Sequence, residues 1–225
     1  MVLQNGWPKY WERAEQGGNY YGKHGANSDL EINILNITKK DILLDIGCAN
    51  GAILTDIRKK TGAIGYGIDI SPIPLKLNKD KKLKLKVADM EKTGYPGNTF
   101  TKVISRGVFE HTPRTEKVFL ELNRIMKRGG LAFITVPNKI SFFHLTKNFK
   151  MIIRTWDLGY ERSFSKKEID VVLKKTGFKL ERYYIIPHSQ VSNIFNWGDN
   201  QLNKINKNYF GFFIYFTARK IKDVA

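Results

Sequence analysis

The sequence is poor in the residues that form disulfides and metal centres. It contains one cysteine, Cys48, so no intrachain disulfide can form, and this favours a reducing, intracellular setting. The four histidines are scattered along the chain and lack the spacing of metal ligands. No metal site is therefore predicted.

Long apolar runs are also missing. The longest late run, 209–218, is too short to cross a bilayer. The first residues have neither the basic region nor the apolar stretch of a signal peptide. We therefore expect a cytoplasmic protein without a transmembrane segment.

Acidic residues are scarce relative to basic ones. The chain has 21 Asp and Glu against 38 Lys and Arg, which gives a net charge of +17. Such a charge favours an anionic partner such as RNA, anionic lipid or a phosphorylated substrate. The lysines are spread along the whole chain, so lysine on ordinary exposed faces is the alternative explanation. Hydrophobic residues make up 42% of the 225, which is enough for the core of one α/β domain over 1–225.

Short apolar, β-branched runs alternate with helical patterns, which predicts a parallel sheet built from βαβ units. The predicted strands are 42–46, 64–70, 83–88, 102–105, 131–136, 180–186 and 211–217. The predicted helices are 27–37, 52–60, 113–127 and 166–175. Lysine alternates with apolar residues in 83–88, which is typical of a protected edge strand.

Several residues predict where helices begin and end. Thr112 and Pro113 predict an N-cap followed by proline at the first helical position, and Gly129 predicts the end of that helix. Ser165 with Glu168 predicts a capping box at the start of the next helix.

The most informative stretch is the apolar run 42–46 with the turn that follows it. Gly47 and Gly51 bracket this turn, where glycine lets the backbone bend sharply and approach a ligand. The predicted helix after the turn would aim free N–H groups at that ligand. Position 49 is alanine, which departs from the dinucleotide fingerprint. Alanine is the smallest replacement for glycine, so we expect this departure to matter little.

Two carboxylates follow the next predicted strands. Asp69 ends the second strand, where an acidic residue can accept both hydroxyl protons of a ribose. Asp89 and Met90 end the third, and a carboxylate beside an apolar side chain suits an adenine ring. Alone, Asp69 is equally well explained as a helix cap before Ser71. Together, these residues predict a nucleotide-like cofactor site.

The ordered set of motifs resembles the class I S-adenosylmethionine-dependent methyltransferases. The segments that carry the resemblance are 45–51, 69, 88–90, 104–111 and 128–137, with a weaker match at 164–178. The resemblance implies a Rossmann-like sheet of seven strands, mostly parallel, with helices on both faces. It also implies that the last strand runs antiparallel between the fifth and the sixth.

The resemblance further implies S-adenosylmethionine as cofactor and S-adenosylhomocysteine as product. Motif positions assign cofactor contacts to residues at four strand ends. Around the amino-acid part of the cofactor they are Asp45, Gly47, Cys48, Ala49 and Gly51, with Ser105, Arg106 and Gly107 beneath the methionine. For the ribose and adenine they are Asp69, Ile70, Asp89 and Met90. Cys48 as a nucleophile is disfavoured, because a thiol at such a turn is more often a small packing residue.

Three segments lie outside the regular alternation. Residues 1–26 are predicted to form a lid in which Tyr21 and His24 contact the carboxylate side of the cofactor, or else an aromatic strap on the domain. Residues 139–164 and 188–208 are predicted substrate-side insertions. Apolar and basic residues interleave at helical spacing in the first insertion. This pattern fits a helix that closes the core, one on a membrane surface or one that covers an apolar substrate.

Methyl transfer depends on alignment more than on side-chain chemistry. Glu110 and His111 follow the fourth predicted strand and are the candidate catalytic residues, with His111 as a base when the acceptor must lose a proton. The alternative for His111 is a loop histidine bonded to backbone.

The expected activity is methyl transfer to a small-molecule acceptor, which includes lipid-linked and glycan-linked molecules. An RNA methyltransferase is the alternative raised by the net charge. Alternatives of another class are an NAD-dependent oxidoreductase and a non-catalytic subunit with a methyltransferase fold.

Overall fold

The computed structural model describes residues 10–12, 16, 26–141, 144, 147–149, 152–153, 160–186, 193–204 and 210–224, without the side chains of 193–196 and 199. Seven strands form one sheet. They are β1 (Ile42–Ile46), β2 (Ile64–Asp69), β3 (Lys84–Val87), β4 (Phe100–Arg106), β5 (Met126–Pro137), β6 (Phe178–Ile186) and β7 (Phe213–Lys220).

The strand order is β3-β2-β1-β4-β5-β7-β6. Strands β1 to β5 are mutually parallel, and β7 runs antiparallel to both β5 and β6. The predicted topology is therefore confirmed, including the antiparallel last strand between the fifth and the sixth. The edge position of β3 is also confirmed. Lys84 is exposed there, and the Lys86 ammonium lies 3.6 Å from the centre of the Tyr95 ring.

Six helices lie wholly within the described residues and pack around the sheet. They are α1 (Asp29–Leu35), α2 (Ala52–Thr61), α3 (Pro72–Lys76), α4 (Thr115–Ile125), α5 (Lys166–Lys175) and α6 (Asn193–Asn203). Helices α3 and α6 were not predicted. In α3, the Ser71 hydroxyl caps the Ile73 N–H and a proline occupies the first turn, so a single short turn forms. The capping box of Ser165 and Glu168 is confirmed at the start of α5.

The predicted ends of α4 were wrong. Thr112 is extended, and its hydroxyl donates to Glu91 Oε1 at 2.8 Å and accepts the Arg114 N–H at 3.0 Å, so it orders the turn before the helix. The helix begins at Thr115 after Arg114, which makes no side-chain cap bond. Gly129 does not end α4, because the chain leaves the helix at Ile125 and passes directly into β5. Gly129 lies within that strand at φ +78°.

Two apolar clusters cover the two faces of the sheet, because alternate residues of each strand point to opposite sides. One cluster packs Leu44 and Val103 against α4 and α5. The other packs Leu43 and Ile104 against Leu35 of α1 and against α2. Both faces of the central strands are thus buried, which explains why these strands read as continuous apolar runs.

The parallel strands β1 to β6 all end at one edge of the sheet, here called the carboxyl edge. The turn 47–51 follows β1 at this edge, and the insertions 139–164 and 188–208 follow β5 and β6. Asn138 pairs with Phe164 at the base of the first insertion, where Lys139 N–H donates to the Phe164 carbonyl at 2.8 Å. The insertion therefore leaves and re-enters the domain at one point.

Among the helices of the described residues, none is long and apolar enough to cross a membrane.

Candidate active site

The turn after β1 has an unusual backbone. Gly47, Ala49 and Gly51 all adopt the left-handed region, with φ of +75°, +49° and +75°. A Cβ at position 47 would lie 2.3 Å from Val108 Cγ2, so only glycine fits there. Ala49 occupies a conformation that costs an L-residue on the order of 1 kcal/mol. Alanine at position 49 therefore costs more stability than expected, because the residue is held in a strained backbone conformation.

Asp69 joins this turn to the end of β2. Its Oδ2 accepts the Ala49 N–H at 3.0 Å, and its Oδ1 accepts the Ser71 N–H at 2.9 Å. Burial raises the pKa of the Asp69 carboxyl. The side chain orders both the turn and the start of α3. The proposed ribose contact and the helix-start contact are therefore compatible.

Cys48 is a packing residue in this structure. The side chain is buried, and a Cβ at Gly67 would lie 2.6 Å from its Sγ. Burial raises the pKa of the Cys48 thiol well above its ordinary value, so the reactive thiolate is disfavoured. The described residues contain no group of three or more His, Cys, Asp or Glu that could hold a metal ion.

The predicted adenine contacts lie at the neighbouring strand end. Asp89 follows β3, is exposed, and accepts the Glu91 N–H through Oδ1 at 2.8 Å. Met90 is half-buried against the core, and Ile70 is exposed. Asp69 pairs with Val87 in the β2–β3 register, so the ribose and adenine candidates lie side by side.

At the end of β4, Ser105 and Gly107 have different surroundings. Ser105 is fully buried and its hydroxyl donates to the Ile46 carbonyl at 3.1 Å, so its side chain fixes β4 to β1. Gly107 has φ +65°, and its N–H donates to the Thr135 hydroxyl at 3.0 Å. Only the backbone of this stretch is positioned to lie beneath a cofactor.

Arg106 belongs to a charged cluster that the sequence reasoning missed in part. Its Nη2 lies 2.6 Å from Oε1 of Glu31, which is fully buried on α1. Burial raises the pKa of nearby Asp45 to about 8, against the lowering influence of the Arg106 guanidinium. Glu31 lies four residues before buried Leu35, and a carboxylate on the apolar face of a helix was the available signal.

Glu110 and His111 form a short 3₁₀ helix directly after β4. His111 Nδ1 lies 3.1 Å from the Tyr160 carbonyl oxygen. A carbonyl only accepts, so Nδ1 carries the proton and Nε2 the lone pair. Burial lowers the pKa of His111 and raises that of Glu110 well above its usual value. Burial therefore favours the uncharged form of both side chains.

In the described part of the first insertion, the polarity is the inverse of that expected for a helix that closes the core. Lys147 is fully buried there, and its Nζ donates to Ser163 Oγ at 2.7 Å and to Glu161 Oε1 at 3.3 Å. Phe149 and Ile152, expected to pack inward if the helix closed the core, are 62% and 78% exposed. Burial lowers the pKa of Lys147.

Part of the N-terminal segment contacts the turn after β1. Trp11 is buried and packs with Ala49 and Ile73. Tyr21 and His24, the predicted lid contacts, lie outside the described residues. The lid assignment stays a prediction, supported by the position of Trp11.

Comparison with known proteins indicates the family. Residues 44–134 match the model of a methyltransferase domain. Together with the sheet topology, this match indicates a class I S-adenosylmethionine-dependent methyltransferase. Such a domain implies S-adenosylmethionine as the cofactor, which disfavours the NAD-dependent oxidoreductase alternative.

Individual relatives are more distant. The chain is 27% identical to phosphoethanolamine N-methyltransferase 2 of Caenorhabditis elegans, over 72% of this chain and 38% of that protein. It is 24% identical to the mitochondrial ubiquinone biosynthesis O-methyltransferase of Rattus norvegicus, over 70% of this chain and 50% of that protein. The chain thus spans half or less of the length of these two relatives.

Among solved structures, the fold is similar to phosphoethanolamine N-methyltransferase 2 of Haemonchus contortus in complex with phosphomonomethylethanolamine and S-adenosylhomocysteine. The TM-score is 0.67 at 20% identity, covering 95% of this chain and 57% of that one. At this identity the similarity concerns the fold alone.

The residues at the carboxyl edge fit the chemistry of the cofactor. Asp69 offers a carboxylate for the ribose, and exposed Asp89 offers one for the adenine amino group. Arg106 supplies a positive charge beside the Asp45 carboxyl, which suits the carboxylate of the amino-acid end.

Proposed function

We propose that this protein transfers a methyl group from S-adenosylmethionine to a small-molecule acceptor with an apolar, lipid-like part. The observation that supports the acceptor class is the inverted polarity of the first insertion. Its charged Lys147 points inward while Phe149 and Ile152 face solvent. In the second insertion Trp197 is 65% exposed. Exposed apolar side chains of this size are typical of surfaces that contact apolar partners.

The position of the insertions supports the same assignment. Both follow strands that end at the carboxyl edge, where ligands bind in open α/β sheets. The two relatives are named for phosphoethanolamine and for ubiquinone biosynthesis, and neither name refers to a nucleic acid.

When bound, S-adenosylmethionine supplies an activated methyl group, so the protein has to align the acceptor and exclude water. His111 presents a lone pair at Nε2, held in that tautomer by the Tyr160 carbonyl. It takes the proton of an acceptor that must lose one. Burial raises the pKa of Glu110, which lies next to His111 in the chain, and so disfavours a negative charge there.

The cofactor half of the proposal is tested by calorimetric titration with S-adenosylhomocysteine, with NAD as comparison ligand. We expect micromolar binding of the first and none of the second. A protein that binds neither ligand would have the fold without the activity.

The acceptor half is tested with methyl-labelled S-adenosylmethionine and separate lipid, water-soluble and RNA fractions. We expect label in the lipid fraction. The double variant Phe149→Ser with Ile152→Ser should lower that transfer at least tenfold. Leu120→Ser, an exposed leucine on α4, should not. Label in RNA, with activity that falls steeply as salt rises, would favour the RNA alternative.

The base role has its own test. His111→Gln should lower turnover and remove the rise of turnover as pH increases in the range below 6.5, because burial lowers the pKa of His111, while cofactor affinity is unchanged. Full turnover by this variant would exclude His111 as the base.

A further inference from the structure

A groove lies between α5 and β6, the strand at one edge of the sheet. Its volume is about 820 Å³, and four apolar or aromatic side chains line it, namely Ile140, Val171, Tyr183 and Ile185. Tyr183 and Ile185 are half-buried on β6, whereas Val171 on α5 is 48% exposed. The groove, here called the α5 groove, therefore offers an apolar surface that is open to solvent.

Three lysines of α5 belong to the same groove. Lys166, Lys167 and Lys174 line it, and all three are exposed. The Lys166 ammonium lies 5.4 Å from the centre of the Tyr183 ring. Within the part of the chain that the structure describes, none of the three lysines forms an ion pair, so their charges are available to a partner.

The neighbouring charges of α5 do not neutralise these lysines. Glu168 pairs with Lys139 at 3.4 Å, and Lys175 pairs with Glu116 at 3.5 Å. Asp170 is the one acidic residue among those that line the groove. The groove therefore keeps an excess of positive charge, which is complementary to an anionic partner.

The groove also adjoins the start of the first insertion. Ile140 lies two residues beyond Asn138, where the insertion leaves the domain. Lys139, between them, binds the first turn of α5. Farther along the insertion, Phe149 and Ile152 face solvent. The segment that begins at the groove thus carries further exposed apolar side chains.

This combination favours a lipid surface over a nucleic acid. Lysines beside apolar side chains bind anionic headgroups while the apolar groups enter the boundary with the acyl chains. Single-stranded nucleic acid is bound largely through aromatic side chains on which bases stack. Three of the four apolar or aromatic residues in the groove are aliphatic, and Tyr183 already lies beside Lys166.

We propose that the α5 groove docks the protein on a bilayer that contains anionic phospholipid. Lys166, Lys167 and Lys174 contact the headgroup phosphates, and Val171 reaches the boundary with the acyl chains. The inference goes beyond the proposed function, because methyl transfer does not itself require a membrane and the groove lies outside the cofactor site.

Vesicle sedimentation with the full chain tests the docking. The vesicles contain phosphatidylcholine alone or phosphatidylcholine with one quarter phosphatidylglycerol, and binding should require the second. The triple variant Lys166→Gln, Lys167→Gln and Lys174→Gln should lower the partition coefficient about a hundredfold, since each lysine near an anionic surface contributes about fivefold.

The matched control replaces three exposed lysines near the opposite edge of the sheet, Lys76, Lys79 and Lys81. Changing these three to glutamine removes the same amount of charge from the last turn of α3 and the segment before β3. If the position of the charge decides docking, the partition coefficient of this variant should stay within about twofold of the parent.

A second readout reports contact at the groove itself. Cys48 is the single cysteine and is buried, so Val171→Cys offers one exposed site for a polarity-sensitive dye. The emission of this dye should shift to the blue on anionic vesicles. Ile64→Cys is the matched control, because Ile64 is 47% exposed at the start of β2, and its dye should show no shift.

The outcomes decide between the partners. Equal losses in both triple variants would show attraction by net charge alone and overturn the inference. No binding to anionic vesicles, or an unshifted dye at position 171, would overturn it as well. Binding of an oligoribonucleotide through the three lysines, without vesicle binding, would assign the groove to nucleic acid instead. Vesicle binding is measured without cofactor or acceptor, so a failure of the proposed methyl transfer is recorded separately.

Discussion

The cofactor side and the acceptor side of the carboxyl edge are held in shape by different means. On the cofactor side, the backbone itself makes the site, through left-handed residues at 47, 49 and 51 and N–H groups that bind Asp69. On the acceptor side, side chains do so, with Lys147 buried between Glu161 and Ser163. Glycine turns can therefore be predicted from the sequence. A buried charge within an amphipathic pattern cannot be predicted in this way.

The largest test of this contrast is the removal of the buried charge. Lys147→Met leaves the Glu161 carboxylate buried without its cation, and breaking such a pair costs about 3 kcal/mol of unfolding free energy. Denaturant unfolding measures the loss. Lys139→Met, which removes an exposed partner of Glu168, should change stability by less than about 0.5 kcal/mol. Equal effects would mean that Lys147 does not hold the insertion.

The backbone counterpart is Gly47→Ala. The added methyl group combines the left-handed cost with a clash against Val108, so we expect a loss of about 2 kcal/mol and weakened S-adenosylhomocysteine binding. Gly129→Ala is the matched control, since φ is +78° there and no atom lies within 4 Å of the added carbon. It should lose only about 1 kcal/mol and keep its affinity.

Asp45 predicts a pH dependence on the cofactor side. Its pKa rises to about 8 in the folded protein, so the folded form holds a proton that the unfolded form releases. Unfolding free energy should therefore fall as pH rises from 6.5 to 8, where histidines add little change. Asp45→Asn should remove about 1 kcal/mol per pH unit of this slope. Thermal or denaturant unfolding at several pH values measures it, and exposed Asp89→Asn should leave the slope unchanged.

The smallest expected effect is a gain in stability. Ala49→Gly removes the cost of a left-handed alanine but raises the conformational entropy of the unfolded chain. We expect a net increase in unfolding free energy of about 0.5 kcal/mol. Ala52→Gly, three residues later and at the start of α2, should instead destabilise by a similar amount. Destabilisation by both changes would indicate that the Ala49 methyl packs usefully against Trp11.

Much of the fold could be predicted because local signals agree with the tertiary arrangement. The central strands are buried on both faces, so their apolar runs stand out, and the capping box of α5 is purely local. The start of β5 could not be predicted, since residues 127–129 are exposed and lie at the irregularity in the β4–β5 register. The start of α4 was missed because Thr112 orders the turn before the helix: its hydroxyl accepts the Arg114 N–H while it donates to Glu91, a tertiary contact.

Some residues of the candidate site could likewise be predicted from the sequence, and others could not. Asp69 and the turn at 47–51 were predicted, because their roles depend on backbone geometry at strand ends. Glu31 and Lys147 were not, because each is buried only through partners distant in sequence, Arg106 and the segment 161–163.

The joined ends of the first insertion have an evolutionary consequence. Because Asn138 and Phe164 are bridged neighbours, the length of the segment between them can change at little entropic cost to the rest of the chain. Whole segments can be exchanged there while the strands that carry Asp69 and Arg106 keep their register. Replacement of the segment between these two residues could therefore change the acceptor while the cofactor site is kept. The same two residues are suitable boundaries for inserting the corresponding segment of another methyltransferase.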